Sequence, residues 1–187
     1  MKILVTAFEP FMGQKINPSE KLATQLQKNY DILILPVSFE RCWPLLQEKT
    51  EQKKYDFVLM LGQAGGRSTI CLEKIAQNQI DTDTPDEDGQ AIRKQIILPG
   101  QDEELVSSLP LEDWVRLAQQ NNIQLEVSTS AGLFVCNYLY FQMQFSQRCK
   151  CLFVHLPYLP EQGKPNLDFE KMEEAIGFIL TQCKALS

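Results

Sequence analysis

Short apolar runs alternate along this chain with segments whose apolar residues recur every three to four positions. That alternation is what most limits the folds open to it. Residues 2–8 (KILVTAF), 31–39 (DILILPVSF), 55–61 (YDFVLML), 123–129 (IQLEVST) and 151–156 (CLFVHL) read as strands. The third is almost continuously apolar, as expected of a strand covered on both faces. Residues 69–77 predict a further strand. Helical spacing marks 18–29, which opens with Pro18 and lines up Leu22, Ala23 and Leu26. It also marks 40–53, started or broken by Pro44, and 111–120 with Leu111, Trp114, Val115 and Ala118. Pro18 suits a first helical position because its missing N–H would have no partner there. The apolar segment 134–145 is too long for a typical strand and reads as a buried helix. The last helix carries a stripe of Met172, Ala175, Ile176, Ile179, Leu180 and Cys183. Alternation of this kind predicts an α/β fold with a mostly parallel sheet and helices on both faces. The polar stretch 81–101 interrupts it and reads as an excursion, a loop or hairpin near a site or an interface.

The 187 residues correspond to one domain, with no internal repeat or linker, so 1–187 is read as a single unit. A content of 44% hydrophobic and 22% charged residues excludes global disorder. Eighteen Lys and Arg against 24 Asp and Glu leave a net charge of −6, and no five like charges are consecutive. A nucleic-acid partner is therefore not expected. The N-terminal apolar run is too short for a signal peptide, and no run approaches the roughly 20 apolar residues of a membrane span. The expectation is a soluble cytoplasmic protein. Six cysteines include a C-x-C at Cys149 and Cys151 but no C-x-x-C, and there is a single histidine. Neither disulfides nor a metal site is expected, and no cofactor.

Neither G-x-G-x-x-G nor G-x-x-x-x-G-K-[ST] occurs, and there is no G-x-S-x-G. Gly62, Gly65 and Gly66 follow a strand and fit a sharp exit turn, or less readily a phosphate cradle. Any Cys–His or Ser–His chemistry must use His155, which sits at the end of a strand, where sheet enzymes hold ligands. Position alone favours the plainer reading, a hydrogen-bonded core histidine. Cys136 falls where a helix should begin, after Ser130-Ala131-Gly132. A helix N-terminus would favour the thiolate and could bind an oxyanion, although Cys136 could also be one of several ordinary buried cysteines. Glu73, among Ile70, Leu72 and Ile75, could orient an imidazole or simply face solvent.

Three segments together resemble the pyroglutamyl peptidase I (pyrrolidone-carboxylate peptidase) family of cysteine exopeptidases. They are Ala7-Phe8-Glu9-Pro10-Phe11-Met12-Gly13 with Asn17-Pro18; Gly62-Gln63-Ala64-Gly65-Gly66-Arg67 with Ile70, Glu73, Ala76, Asn78, Pro85-Asp86 and Gly89; and Ser130 to Asn137 with Phe153 to Gln162. The likeness spans about residues 1–165 in order. It implies an α/β/α sandwich, often a homotetramer. It also implies a triad of Cys136 as nucleophile, His155 as base and Glu73 as orienting acid. The implied substrates are peptides with an N-terminal pyroglutamate (5-oxoproline). By the same likeness Phe8, Phe11, Phe134 and Val135 would wall a pocket for the lactam ring, with Asn17 and Gln63 as polar contacts. No metal or organic cofactor is implied.

The chain departs from that pattern at Ala7 and Met12, where the family usually has glycine, and it is shorter between Tyr30 and Tyr55 and near the C-terminus. Asp83 stands where the family usually carries an Arg near the catalytic centre. An anion beside Cys136 would disfavour the thiolate and displace the activity optimum towards alkaline pH. The alternative reading is therefore a diverged, weakly active or non-catalytic homologue that binds peptide N-termini.

Overall fold

The computed structural model describes residues 1–186. In chain order the elements are β1 (Ile3–Phe8), α1 (Pro18–Leu26), β2 (Asp31–Leu35), α2 (Cys42–Gln52), β3 (Phe57–Gln63), β4 (Ile70–Glu73), β5 (Ile75–Gln77), β6 (Gln79–Ile80), β7 (Gln95–Ile96), β8 (Glu104–Val106), α3 (Leu111–Gln120), β9 (Leu125–Ser128), α4 (Val135–Ser146), β10 (Lys150–Leu156) and α5 (Phe169–Lys184).

Six strands form the central sheet in the order β2-β1-β3-β10-β4-β9. Neighbours from β2 to β10 are parallel, β10 and β4 are antiparallel, and β4 and β9 are again parallel to each other. The expected mostly parallel sheet is therefore present, with one reversal between β10 and β4. Successive side chains of a strand face opposite sides, and each side is covered. Ile3, Val5 and Ala7 of β1 join Phe57, Leu59 and Leu61 of β3 under α1, α3 and α5. Leu4 and Phe8 join Val58, Met60 and Phe153 under α2 and α4. The result is three layers, helices–sheet–helices. None of the described helices is long and apolar enough to cross a membrane.

Local chemistry explains where the elements stop. β2 ends at Leu35 rather than continuing to 39, because Pro36 has no N–H to offer the ladder. Pro44 lies in the first turn of α2, where that N–H is not needed. Asn17 caps α1 by accepting the Ser19 N–H at 3.0 Å. The single strand expected over 69–77 is two strands. At Lys74 the chain leaves the central sheet, and β5 pairs instead with β8. The excursion after it forms the small antiparallel pair β6–β7. It is fastened to the β2–α2 connection: Asp86 accepts the Phe39 N–H at 2.9 Å, and Glu87 and Val37 exchange hydrogen bonds at 3.0 and 3.1 Å.

Candidate active site

His155 and Glu73 come from adjacent strands. The antiparallel register sets His155 opposite Cys71, so Glu73, two residues further along β4, faces the same side of the sheet. The imidazole Nδ1–H donates to Glu73 Oε1 at 2.7 Å, with both side chains buried. A carboxylate oxygen accepts, so Nδ1 carries the proton and Nε2 keeps its lone pair. On sequence spacing Glu73 could equally have faced solvent. Its side chain is instead fully buried, and the buried Tyr140 donates a hydrogen bond to its carbonyl at 2.8 Å.

Cys136 reaches this rung from α4. Gly62 of β3 is the register partner of His155 on its other flank. A Cβ on Gly62 would lie 3.2 Å from Cys136 Sγ and 2.8 Å from Phe153 Cζ. The missing side chain at Gly62 is what lets the thiol settle against the sheet beside His155. Gly62 and Gly65 thus answer close approaches rather than turn torsions: Tyr158 packs onto Gly65 where a Cβ would be, and only Gly66 of the three has a positive φ, 87°.

The start of α4 leaves backbone donors free beside Cys136. Phe134 precedes it in extended conformation and no side chain caps the helix. The first hydrogen bond into the helix backbone is from the Tyr138 N–H to the Phe134 carbonyl at 3.1 Å, so the N–H groups of Val135 and Cys136 have no acceptor within the helix. Asn137 pins this turn. Its amide accepts the Gln77 N–H at 2.8 Å and donates to the Gln77 and Gln79 carbonyls at 2.8 and 2.9 Å. Burial pushes the Cys136 thiol up to about 12, the charge of Glu73 acts in the same direction, and Arg67 opposes it. The uncapped helix N-terminus and Arg67 favour the charged form, against burial and Glu73.

A cavity of about 300 Å³ opens beside Cys136 and is lined by Phe8, Phe11, Asn17, Gln63 and Phe134, as expected. The rings of Phe11 and Phe134 are 5.7 Å apart. The Val135 side chain is fully buried in the core between the sheet and α4 and is not among the lining side chains, which leaves its backbone as what it can offer a ligand. Asn17 reaches the cavity with much of its amide committed, since it caps α1 and donates to the Glu9 carbonyl at 3.0 Å. Gln63 accepts from Gln162 at 2.7 Å, which leaves its N–H2 end for a ligand.

Sequence reasoning gave no pocket role to Val37, Gly65, Thr82, Thr84 or Tyr158, which also line the cavity. Thr82 and Thr84 alternate around Asp83, and that alternation was the available signal. Asp83 itself is 85% exposed and pairs with Arg93. It does not line the cavity, so the anion expected beside Cys136 is turned out to solvent and met by a cation. Met12, at the rim and 71% exposed, has φ 54°, followed by Gly13 at 72°. The preference for glycine there reflects a left-handed turn, which this chain makes with a side chain in place.

A family model described as pyroglutamyl peptidase matches residues 1–176. The pyrrolidone-carboxylate peptidase of Pyrococcus furiosus is 37% identical over 196 residues, covering 94% of this chain and 94% of that protein. That of Staphylococcus aureus is 35% identical over 200 residues, covering 100% and 94%. The crystal structure of the pyrrolidone carboxyl peptidase of Fervidobacterium islandicum superposes with a TM-score of 0.93 at 33% identity, covering 99% of each chain. With a family match over nearly the whole length and relatives of this identity, the chain belongs to the pyroglutamyl peptidase family, the cysteine exopeptidases that remove an N-terminal pyroglutamate.

Proposed function

We propose that this chain hydrolyses the bond after an N-terminal pyroglutamate with Cys136 as nucleophile, His155 as general base and then acid, and Glu73 as the group that orients the imidazole. The observation that carries this reading is the buried 2.7 Å hydrogen bond from His155 Nδ1 to Glu73 Oε1, on the rung against which Cys136 packs. With Nδ1–H committed to Glu73, Nε2 is the nitrogen free to take the thiol proton. His155 takes the thiol proton and the sulfur attacks the carbonyl carbon. The carbonyl oxygen becomes an oxyanion, to which the uncapped N–H groups of Val135 and Cys136 can donate hydrogen bonds. Protonated His155 then delivers its proton to the leaving amine. Water, deprotonated by the same imidazole, hydrolyses the thioester and restores the thiol.

The lactam ring is small, flat and uncharged, with one N–H and one C=O. The walls formed by Phe8, Phe11 and Phe134 suit its faces, and the amide of Gln63 suits its polar edge. A cytoplasmic setting and a homotetramer belong to the same reading. It is supported by family membership.

The test is Cys136→Ser with a fluorogenic pyroglutamyl amide. Loss of turnover with an unchanged circular dichroism spectrum is expected, together with inactivation of the wild type by one equivalent of iodoacetamide at Cys136. Full activity after stoichiometric modification of Cys136 would falsify the assignment.

A further inference from the structure

Arg67 lies in the loop after β3, and its side chain is a quarter exposed. Its Nη1 is 3.0 Å from Glu73 Oε1, the same oxygen that accepts the His155 Nδ1–H. Its Nη2 donates to the Ser130 carbonyl at 2.9 Å, in the segment that leads into α4 and Cys136. One guanidinium therefore joins the end of β4 to the approach of the helix that carries the thiol. The other Glu73 oxygen, Oε2, is buried with no hydrogen-bond partner among the described residues. Only one edge of the carboxylate is in use, and two donors share it.

This geometry points to Arg67 as a positioning residue for the hydrolytic site, which fixes the Glu73 oxygen that faces the imidazole and offsets the carboxylate's charge where Cys136 must ionise. The inference rests on the assignment of Cys136, His155 and Glu73 proposed above. The planar fork of arginine can hold Glu73 and Ser130 together, whereas a lysine ammonium is a point charge on a flexible stem. The titratable groups around the pair are His155 from β10, Cys136 from α4, and Cys71 from β4, whose thiol donates to Glu126 of β9 at 3.0 Å. Among them Glu73 opposes ionisation of Cys136 and Arg67 favours it. Removing the guanidinium leaves the opposing charge uncompensated and makes the thiol harder to ionise.

The experiment compares wild type, Arg67→Met, Arg67→Lys and Cys136→Ser. It measures kcat/KM against pH on a fluorogenic pyroglutamyl amide, the pH dependence of Cys136 alkylation by iodoacetamide, and Tm. Arg67→Met is expected to move the acid limb of the kcat/KM profile and the alkylation profile to higher pH by about one unit, the lower end of what a nearby charge does to a titrating group. Arg67→Lys keeps the charge and loses one of the two contacts. Its limb should stay in place while kcat falls about tenfold, a modest share of what misalignment can cost. Superimposed wild-type and Arg67→Met profiles would overturn the inference, even with a lower Tm, because a residue that only braces the loop moves Tm and not the limb. If Arg67→Met does not fold, an unchanged kcat in Arg67→Lys overturns it. Cys136→Ser separates the two levels. If it remains active, the hydrolytic assignment fails. If it is inactive and the Arg67 variants behave as wild type, only the role of Arg67 fails.

Discussion

Gly62→Ala adds one methyl group at the most crowded point of the site. Its Cβ would sit 2.8 Å from Phe153 Cζ and 2.9 Å from Cε1, about 0.7 Å inside the distance of roughly 3.5 Å at which carbon atoms rest. Phe153 has little room to retreat. It is fully buried, with the rings of His155, Tyr140 and Phe8 at 4.8, 5.9 and 6.5 Å. The alternative is a shift of Cys136, whose Sγ would lie 3.2 Å from the new atom. Gly62 has no left-handed torsion, so the cost is steric alone. Overpacking of this kind costs about 1–3 kcal/mol. For a chain of this size each kcal/mol lowers Tm by about 2–4 °C, so a fall of about 2–12 °C is expected. The thiol moves by a fraction of an ångström, and misplacement by about 1 Å costs about a hundredfold, so kcat/KM should drop by about ten- to a hundredfold. Scanning calorimetry and initial rates on a pyroglutamyl amide measure both. Adding Phe153→Leu should return part of the Tm by making space. A Gly62→Ala protein with wild-type Tm and wild-type kcat/KM would refute the claim that the thiol packs against this rung.

Phe8→Ala should raise KM for a pyroglutamyl substrate much more than Phe39→Ala, since Phe8 lines the cavity while Phe39 meets Phe134 edge-on at 5.5 Å from outside it. Each loses a buried ring at about 3–5 kcal/mol, so equal KM changes at matched Tm would make Phe8 a core residue only. Asp83→Arg should leave the pH–rate profile superimposed on wild type, because Asp83 faces solvent and is met by Arg93; a displaced optimum would show that its charge reaches Cys136. Stability should fall at alkaline pH through the buried thiols. Burial holds Cys183 at about 12 against an ordinary 9.0, so its contribution is complete below the ordinary value and fades as pH rises towards the folded one. Cys183→Ala should therefore lose less Tm than wild type between about pH 7.5 and pH 10.5, and equal losses would contradict this.

The layering was legible because each face of the sheet is marked by alternate residues, as Leu4 and Phe8 against Ile3, Val5 and Ala7 show. His155 and Cys136 could be singled out because a lone histidine at a strand end and a cysteine at a helix start are local facts. Glu73 could not be separated from a solvent-facing residue by its neighbours, since the strand that buries it, β10, lies 82 residues away in the chain. Arg67 stood out only as part of a motif, because the Ser130 carbonyl it holds beside the nearby Glu73 is 63 residues away. Val135 shows the limit of carrying a motif over as a block: its side chain packs in the core, and only its backbone lies towards Cys136. The split at Lys74 had no local sign, as β4 and β5 are equally apolar and differ only in which strand each one pairs with.

The strand order also sets when in the life of the chain its chemistry can exist. β10 is the last of these six strands in chain order, yet it occupies the middle of the sheet, between β3 and β4. Until it is inserted, Glu73 has no histidine and, in the proposed triad, Cys136 has no base, whatever else has formed. A ribosome releases the chain N-terminus first, so the growing polypeptide carries its thiol past its neighbours without the partner that would make it a peptidase. With the proposed triad, peptide-bond cleavage begins only as β10 closes the sheet.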